Sequence, residues 1–139
     1  MKALAVLLLL LGVAALLQRQ EEEDGAHGAR RAVAVNYAVY RNAVFLYVYA
    51  HTEHRGAVPL ASLALPAGWR ALRPWAARVD GGRCYVYGAA SPEEVAAVRE
   101  IFRGSFALGM ASGGRLVPQL VAVPAFIPDG CLVSVTEVR

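Results

Sequence analysis

The sequence predicts an α+β fold: an N-terminal membrane segment, then a small domain with two main helices and an antiparallel or mixed sheet of about five strands. Three observations carry this expectation. Residues 31–51 contain no Gly or Pro and are dense in Val, Tyr and Ala, a run long for a strand and suited to a helix. Ser91-Pro92-Glu93-Glu94 has the spacing of a capping box and opens a second, shorter helix. The other apolar runs are short and separated by the turns Asp80-Gly81-Gly82, Ser112-Gly113-Gly114 and Pro128-Asp129-Gly130, so neighbouring strands pair locally and antiparallel.

The membrane segment comes first. Hydrophobic residues make up 57% of the 139-residue chain, above the usual range for a soluble domain. Much of the excess lies in Ala3 to Leu17, fifteen consecutive residues without a polar side chain, preceded by Lys2 and followed abruptly by Gln18, Arg19, Gln20, Glu21, Glu22, Glu23 and Asp24. As a helix, this run rises about 22 Å, short of a hydrocarbon core about 30 Å thick. Two readings stand: a secretory signal peptide with a weak cleavage site at Val13-Ala14-Ala15, or an uncleaved anchor. With Lys2 at its start, the positive-inside rule leaves the N-terminus in the cytoplasm and sends the rest across the membrane. The domain arrives in the periplasm either way. The expected organisation is therefore a membrane anchor or signal peptide at 1–17, a polar tether at 18–28 and a periplasmic α+β domain at 29–139.

Within that domain, Tyr37, Tyr40, Val44 and Tyr47 or Val48 recur at three- and four-residue spacing and form the apolar stripe of the first helix. Arg41 and Asn42 mark its more exposed side, and residues 51–56 end it. Pro59, Pro66, Gly68 and Pro74 make 57–74 an irregular crossing. A hairpin of strands at 76–79 and 83–87 follows. Ser91 caps the second helix, Val95, Val98, Ile101 and Phe102 give its apolar face, and Gly104 ends it in the left-handed conformation. Strands at 106–111, 115–120 and 131–138 complete the sheet.

The charge pattern excludes more than it suggests. After residue 24 there are twelve arginines and seven acids, a mildly basic balance that could mean nucleic acid or anionic lipid. Apart from the pair Arg30-Arg31 the arginines are dispersed singly and no Lys follows Lys2, which reads as compositional bias and not as a phosphate-binding stripe, so no nucleic acid is expected. Catalytic constellations are missing: there is no Gly-x-Ser-x-Gly, and Gly113-Gly114 leads into a strand instead of a phosphate-loop helix. His51 and His54 flank Glu53, but zinc takes three or four ligands, and a polar helix end is the better reading. The expectation is a protein that is not an enzyme and has no catalytic, metal or cofactor residues. Cys84 and Cys131, 47 residues apart, fit no metal spacing. In an oxidising periplasm they form a disulfide worth about 4 kcal/mol by loop closure, or else both are small buried apolar residues. Finally, Arg70, Arg78 and the set Trp69, Arg73, Trp75, Arg83, Tyr85 and Tyr87 concentrate aromatics and arginine in mid-chain. Those six residues are a candidate partner-binding surface, because such side chains dominate protein-binding hot spots. The alternative is that the rings are core and the arginines face solvent.

Three segments carry a family resemblance. Tyr40-Arg41-Asn42-Ala43-Val44, Leu65-Pro66-Ala67-Gly68-Trp69 and Gly82-Arg83-Cys84-Tyr85-Val86-Tyr87-Gly88 resemble the PilM proteins of conjugative thin-pilus operons, and the similarity extends over nearly the whole chain. A larger actin-like cytoplasmic pilus protein shares that name, but this sequence has no nucleotide-binding loop. The resemblance implies a component of type IV pilus biogenesis, anchored in the inner membrane with its domain in the periplasm, whose partners are other pilus-assembly proteins. It brings no catalytic residues. The strand-helix-strand unit at 83–111 suggests the rival, a general envelope-associated binding domain of BON-like or ring-building type.

Overall fold

The computed structural model describes residues 2–138. The chain divides into two compact units, Met1–Arg30 and Arg31–Arg139. Helix α1 (Lys2–Ala50) contributes to both. In the first unit the side chains of Ala3 to Leu17 are all exposed, and α1 is long and apolar enough there to cross a membrane. Residues 18–28, expected as a tether, are helical too, so α1 starts at Lys2 and not near Arg31. Gln, Arg and Glu are good helix formers, and their run tolerates Gly25 and Gly28 at a cost of about 1 kcal/mol each.

In the second unit α1 buries Val33, Ala34, Tyr37, Tyr40, Val44 and Val48, the expected stripe extended by one turn. The other elements are β1 (Gly56–Ala57), β2 (Ala76–Asp80), β3 (Arg83–Ala89), α2 (Pro92–Ile101), β4 (Leu108–Ser112), β5 (Arg115–Val117), β6 (Val121–Ala122) and β7 (Cys131–Glu137). A single turn of 3₁₀-helix at Leu60–Ser62 interrupts the otherwise irregular crossing before β2.

The strands form one antiparallel sheet in the order β1-β2-β3-β7-β4-β5-β6. Among the described residues seven strands replace the expected five or so; β1 and β6 are two-residue edges too short to give a periodic signal. The β2–β3 hairpin turns at Gly81 and Gly82, whose φ values of 55° and 77° require glycine in practice. Strand β7 is the centre of the sheet although it comes last in sequence, because α2 carries the chain from β3 to β4 and leaves the slot between them open.

Both faces of the sheet are covered. Ala77, Val79, Cys84, Val86, Leu108 and Leu132 pack with the α1 stripe and with Val95 and Val98 of α2. On the opposite face Tyr85, Ala111, Leu116, Cys131 and Val133 pack under Val123 and Ile127 from the β6–β7 connection. The period-two alternation along β3 sends Cys84 and Val86 to the helical face and Tyr85 and Tyr87 to the other.

Candidate functional site

The six residues proposed as a partner surface are not brought together; the sheet separates them. Trp69, Arg73 and Trp75 lie on the α1 side. Trp69 stacks on Tyr40 at 6.0 Å between ring centroids, and Trp75 meets Tyr37 edge-on at 5.0 Å. The Trp75 ring also occupies the space where a Cβ on Gly88 would sit. Arg73 pairs with Glu94, whose Oε2 also takes a hydrogen bond from Ser91 N at 3.2 Å. Tyr85 and Tyr87 lie on the other face and surround Phe126, at 5.8 and 5.9 Å between centroids, with the Arg78 guanidinium 4.8 Å above the same ring. The rings are thus largely packing elements, the surface proposed from sequence is two separate clusters, and the exposed Arg83 belongs to neither, lining instead the groove described below.

The cysteines require a further correction. In the β3–β7 ladder Cys84 is opposite Thr136, and Cys131 is opposite Ala89. Five residues of strand separate the two positions, about 17 Å, and the thiols point to opposite faces. A disulfide needs Cα atoms within about 7 Å, so both cysteines are free and buried. Burial pushes the Cys84 thiol up to about 12 and raises that of Cys131.

His51 and His54 close the end of α1. The His51 ring stacks on Tyr47 at 4.3 Å and its Nδ1 donates to the Tyr47 carbonyl at 2.9 Å. His54 Nε2 donates to Ala57 O at 3.0 Å. Among the described residues no three His, Cys, Asp or Glu side chains gather as a metal site would need.

Three features were not legible in the sequence. The first is Asn36, buried on α1. Its Nδ2 donates to Arg70 O at 2.7 Å, and its Oδ1 accepts from Leu72 N at 2.9 Å and Trp75 Nε1 at 2.8 Å. It thereby fixes the crossing that carries both tryptophans.

The second is a polar chain beneath α1. The Tyr37 hydroxyl lies 2.8 Å from both Val86 O and Ser134 Oγ. A carbonyl only accepts, so the phenol donates to Val86 O. Ser134, which receives Arg41 Nε at 3.0 Å, then donates its own hydrogen to the phenol oxygen. Burial drives the Tyr37 pKa well above the ordinary phenol value. Arg41 itself was expected on the exposed side, yet it is half-buried, with its guanidinium carbon 4.3 Å from the Phe45 ring centroid and 4.4 Å from that of Phe102.

The third is a groove of about 270 Å³ lined by Arg83, Phe106, Leu116, Val121, Val135 and Glu137, among others. Phe106 is 86% exposed at its edge. It lies ahead of β4, outside the strand the sequence predicted to contain it.

Fold and surface together define the class: a small α+β protein built on one antiparallel sheet, with a long first helix that is apolar at its start. Within that class the chain belongs to the PilM family, whose family model matches residues 6–135. The crystal structure of a protein described as PilM from Escherichia coli is similar, with a TM-score of 0.62 and 25% sequence identity over 80% of this chain and 94% of that one. No curated protein matches.

Proposed function

We propose that this chain is a non-catalytic component of conjugative thin type IV pilus biogenesis. The start of α1 holds it in the inner membrane, with the N-terminus in the cytoplasm and residues 29–139 in the periplasm as a scaffold for other pilus-assembly proteins. The observation that carries this reading is the extent of the PilM match, which takes in most of the apolar run as well as nearly all of the sheet. The exposed leucines between residues 4 and 17 add physical support. Each costs on the order of 2 kcal/mol when left in water instead of an apolar environment, and a contiguous exposed apolar stretch marks a membrane or protein contact. The buried polar side chains Asn36, Glu94 and Ser134 are engaged in structural hydrogen bonds, which favours a binding role over chemistry.

The test is a deletion of the gene in a conjugative host, scored by thin-pilus number and transfer frequency, together with the mass and membrane partition of the protein. Loss of pili and transfer, restored by the wild-type gene, supports the pilus role, and undiminished transfer overturns it. Full-length mass in the inner-membrane fraction supports the anchored scaffold. A shortened, soluble periplasmic form would replace the anchor with a signal peptide.

A further inference from the structure

Arg41 is placed with more care than a structural arginine needs. Three contacts from three elements fix its guanidinium: Phe45 one turn further along α1, Phe102 at the C-terminal end of α2, and Ser134 on β7. Ser134 is fully buried, and its hydroxyl is already committed to the Tyr37 phenol, so the acceptor for Nε cannot swing away. The guanidinium has five N–H donors, and among the described residues the hydrogen bond to Ser134 occupies one. Among the described residues no carboxylate answers the charge: the ion pair there is Arg73 with Glu94. Among the described residues the buried polar side-chain atoms left without a partner are Trp69 Nε1 and Gln119 Oε1, and the terminal nitrogens of the half-buried Arg41 are not among them. Burial draws its pKa down, opposed by the Tyr37 phenol and the Cys84 thiol.

A cation that has lost part of its hydration and has no counter-ion is poorly compensated by the protein alone. Holding it rigid lowers the entropic cost of binding an anion. The chemistry of the slot selects among anions. One guanidinium carries one positive charge and offers a planar pair of donors, which matches a carboxylate in a bidentate geometry. The flanking phenyl rings are apolar walls and offer no further donors, whereas phosphate sites usually gather several cations or backbone N–H groups. We propose that Arg41, held between Phe45 and Phe102, is a recognition point for a carboxylate presented by a partner protein. Arg41 also fastens α1 to β7, and the recognition role uses the donors that this fastening leaves free.

The experiment uses the full-length chain in detergent micelles with ¹⁵N-labelled arginine, following the Nε–H signals by NMR. Arg41→Lys identifies the Arg41 signal by its disappearance. Sodium acetate is titrated against sodium chloride at matched ionic strength, with sodium phosphate as a third arm. The expected result is a saturable shift of the Arg41 signal with acetate, with a half-point on the order of 10–100 mM, as for a single charge-assisted pair, and no saturation with chloride. Phe102→Leu removes one wall and raises the acetate half-point at least about threefold, with an unchanged far-ultraviolet circular dichroism spectrum. An acetate response no different from that of chloride overturns the proposal. So does phosphate saturating at the same or lower concentration, which would make the site a general or phosphate-selective anion site.

Discussion

Asn36 shows how much of the domain depends on one side chain. Its carboxamide satisfies three groups of the 70–75 crossing, including the indole N–H of Trp75. A buried donor or acceptor left unpaired costs about 1–3 kcal/mol. Asn36→Ala should therefore lower the unfolding free energy by about 2–4 kcal/mol in chemical denaturation, with a red-shifted tryptophan emission as Trp75 is released. A change below about 0.5 kcal/mol would mean that water replaces the carboxamide without loss. Gly88 makes a similar point by its lack of a side chain. Because the Trp75 ring fills the place of its Cβ, Gly88→Ala should destabilise by about 1–3 kcal/mol through overpacking, and a neutral result would show that the ring is free to shift. Neither role was readable from sequence. Asn36 lies in the middle of an apolar helix with nothing beside it in the chain to identify its partners, which are 34 to 39 residues away.

At the scale of the element, α2 is the part where local rules decide most. Ser91, Pro92 and Glu94 form the capping box that their spacing announces, with Glu94 N donating to Ser91 Oγ at 3.1 Å. Gly104 adopts φ 67° beyond the helix end. Ser91→Ala should cost about 1 kcal/mol, measurable as a shift in the denaturant midpoint. The cap also has a tertiary partner. Burial by itself pushes the Glu94 carboxyl up, but the hydrogen bonds from Arg73 and Ser91, with the charge of Arg73, outweigh it and hold the group below the ordinary glutamate range. As pH falls, the unfolded chain therefore takes up this proton before the folded one does. The stabilisation is complete above the unfolded value of about 4.3 and is lost as pH drops from there through the folded value. Glu94→Gln should flatten the acid side of the stability profile between about pH 5 and pH 3 relative to the wild type. Parallel acid limbs for the two proteins would rule out this coupling.

For the whole molecule, the arrangement of the sheet governs what the cysteines and aromatics do. Cys84 belongs to the helical face and Cys131 to the other, so reductant should leave the thermal midpoint unchanged. Two thiols should titrate in denaturant without prior reduction. A drop in midpoint on reduction would contradict the β3–β7 register. Alkylation of the folded protein should be slow, because the thiolate is the reactive form and burial raises both thiol pKa values. The same division separates Trp69 and Trp75 from Tyr85 and Tyr87. A partner using one cluster does not touch the other, and substitutions in the two should not be read as one surface.

What the sequence determined by itself is what local chemistry controls. The apolar run and its sharp polar edge, the Tyr37–Val48 stripe, the Gly81-Gly82 hairpin, the capped α2 and the irregular crossing before β2 all follow from side-chain periodicity, glycine conformation and capping. Those effects act over a few residues and are visible in one dimension. The tertiary structure alone decided that β7 inserts between β3 and β4, and that β1 and β6 exist as short edges. It also decided that Arg41 is clasped by Phe102 and Ser134, that Asn36 ties down the tryptophan crossing, and that Cys84 and Cys131 cannot meet. Each of these depends on groups distant in sequence, or on which face of a strand turns toward the helices. The face is set by ladder register, and a one-residue slip would reverse it for every side chain on the strand.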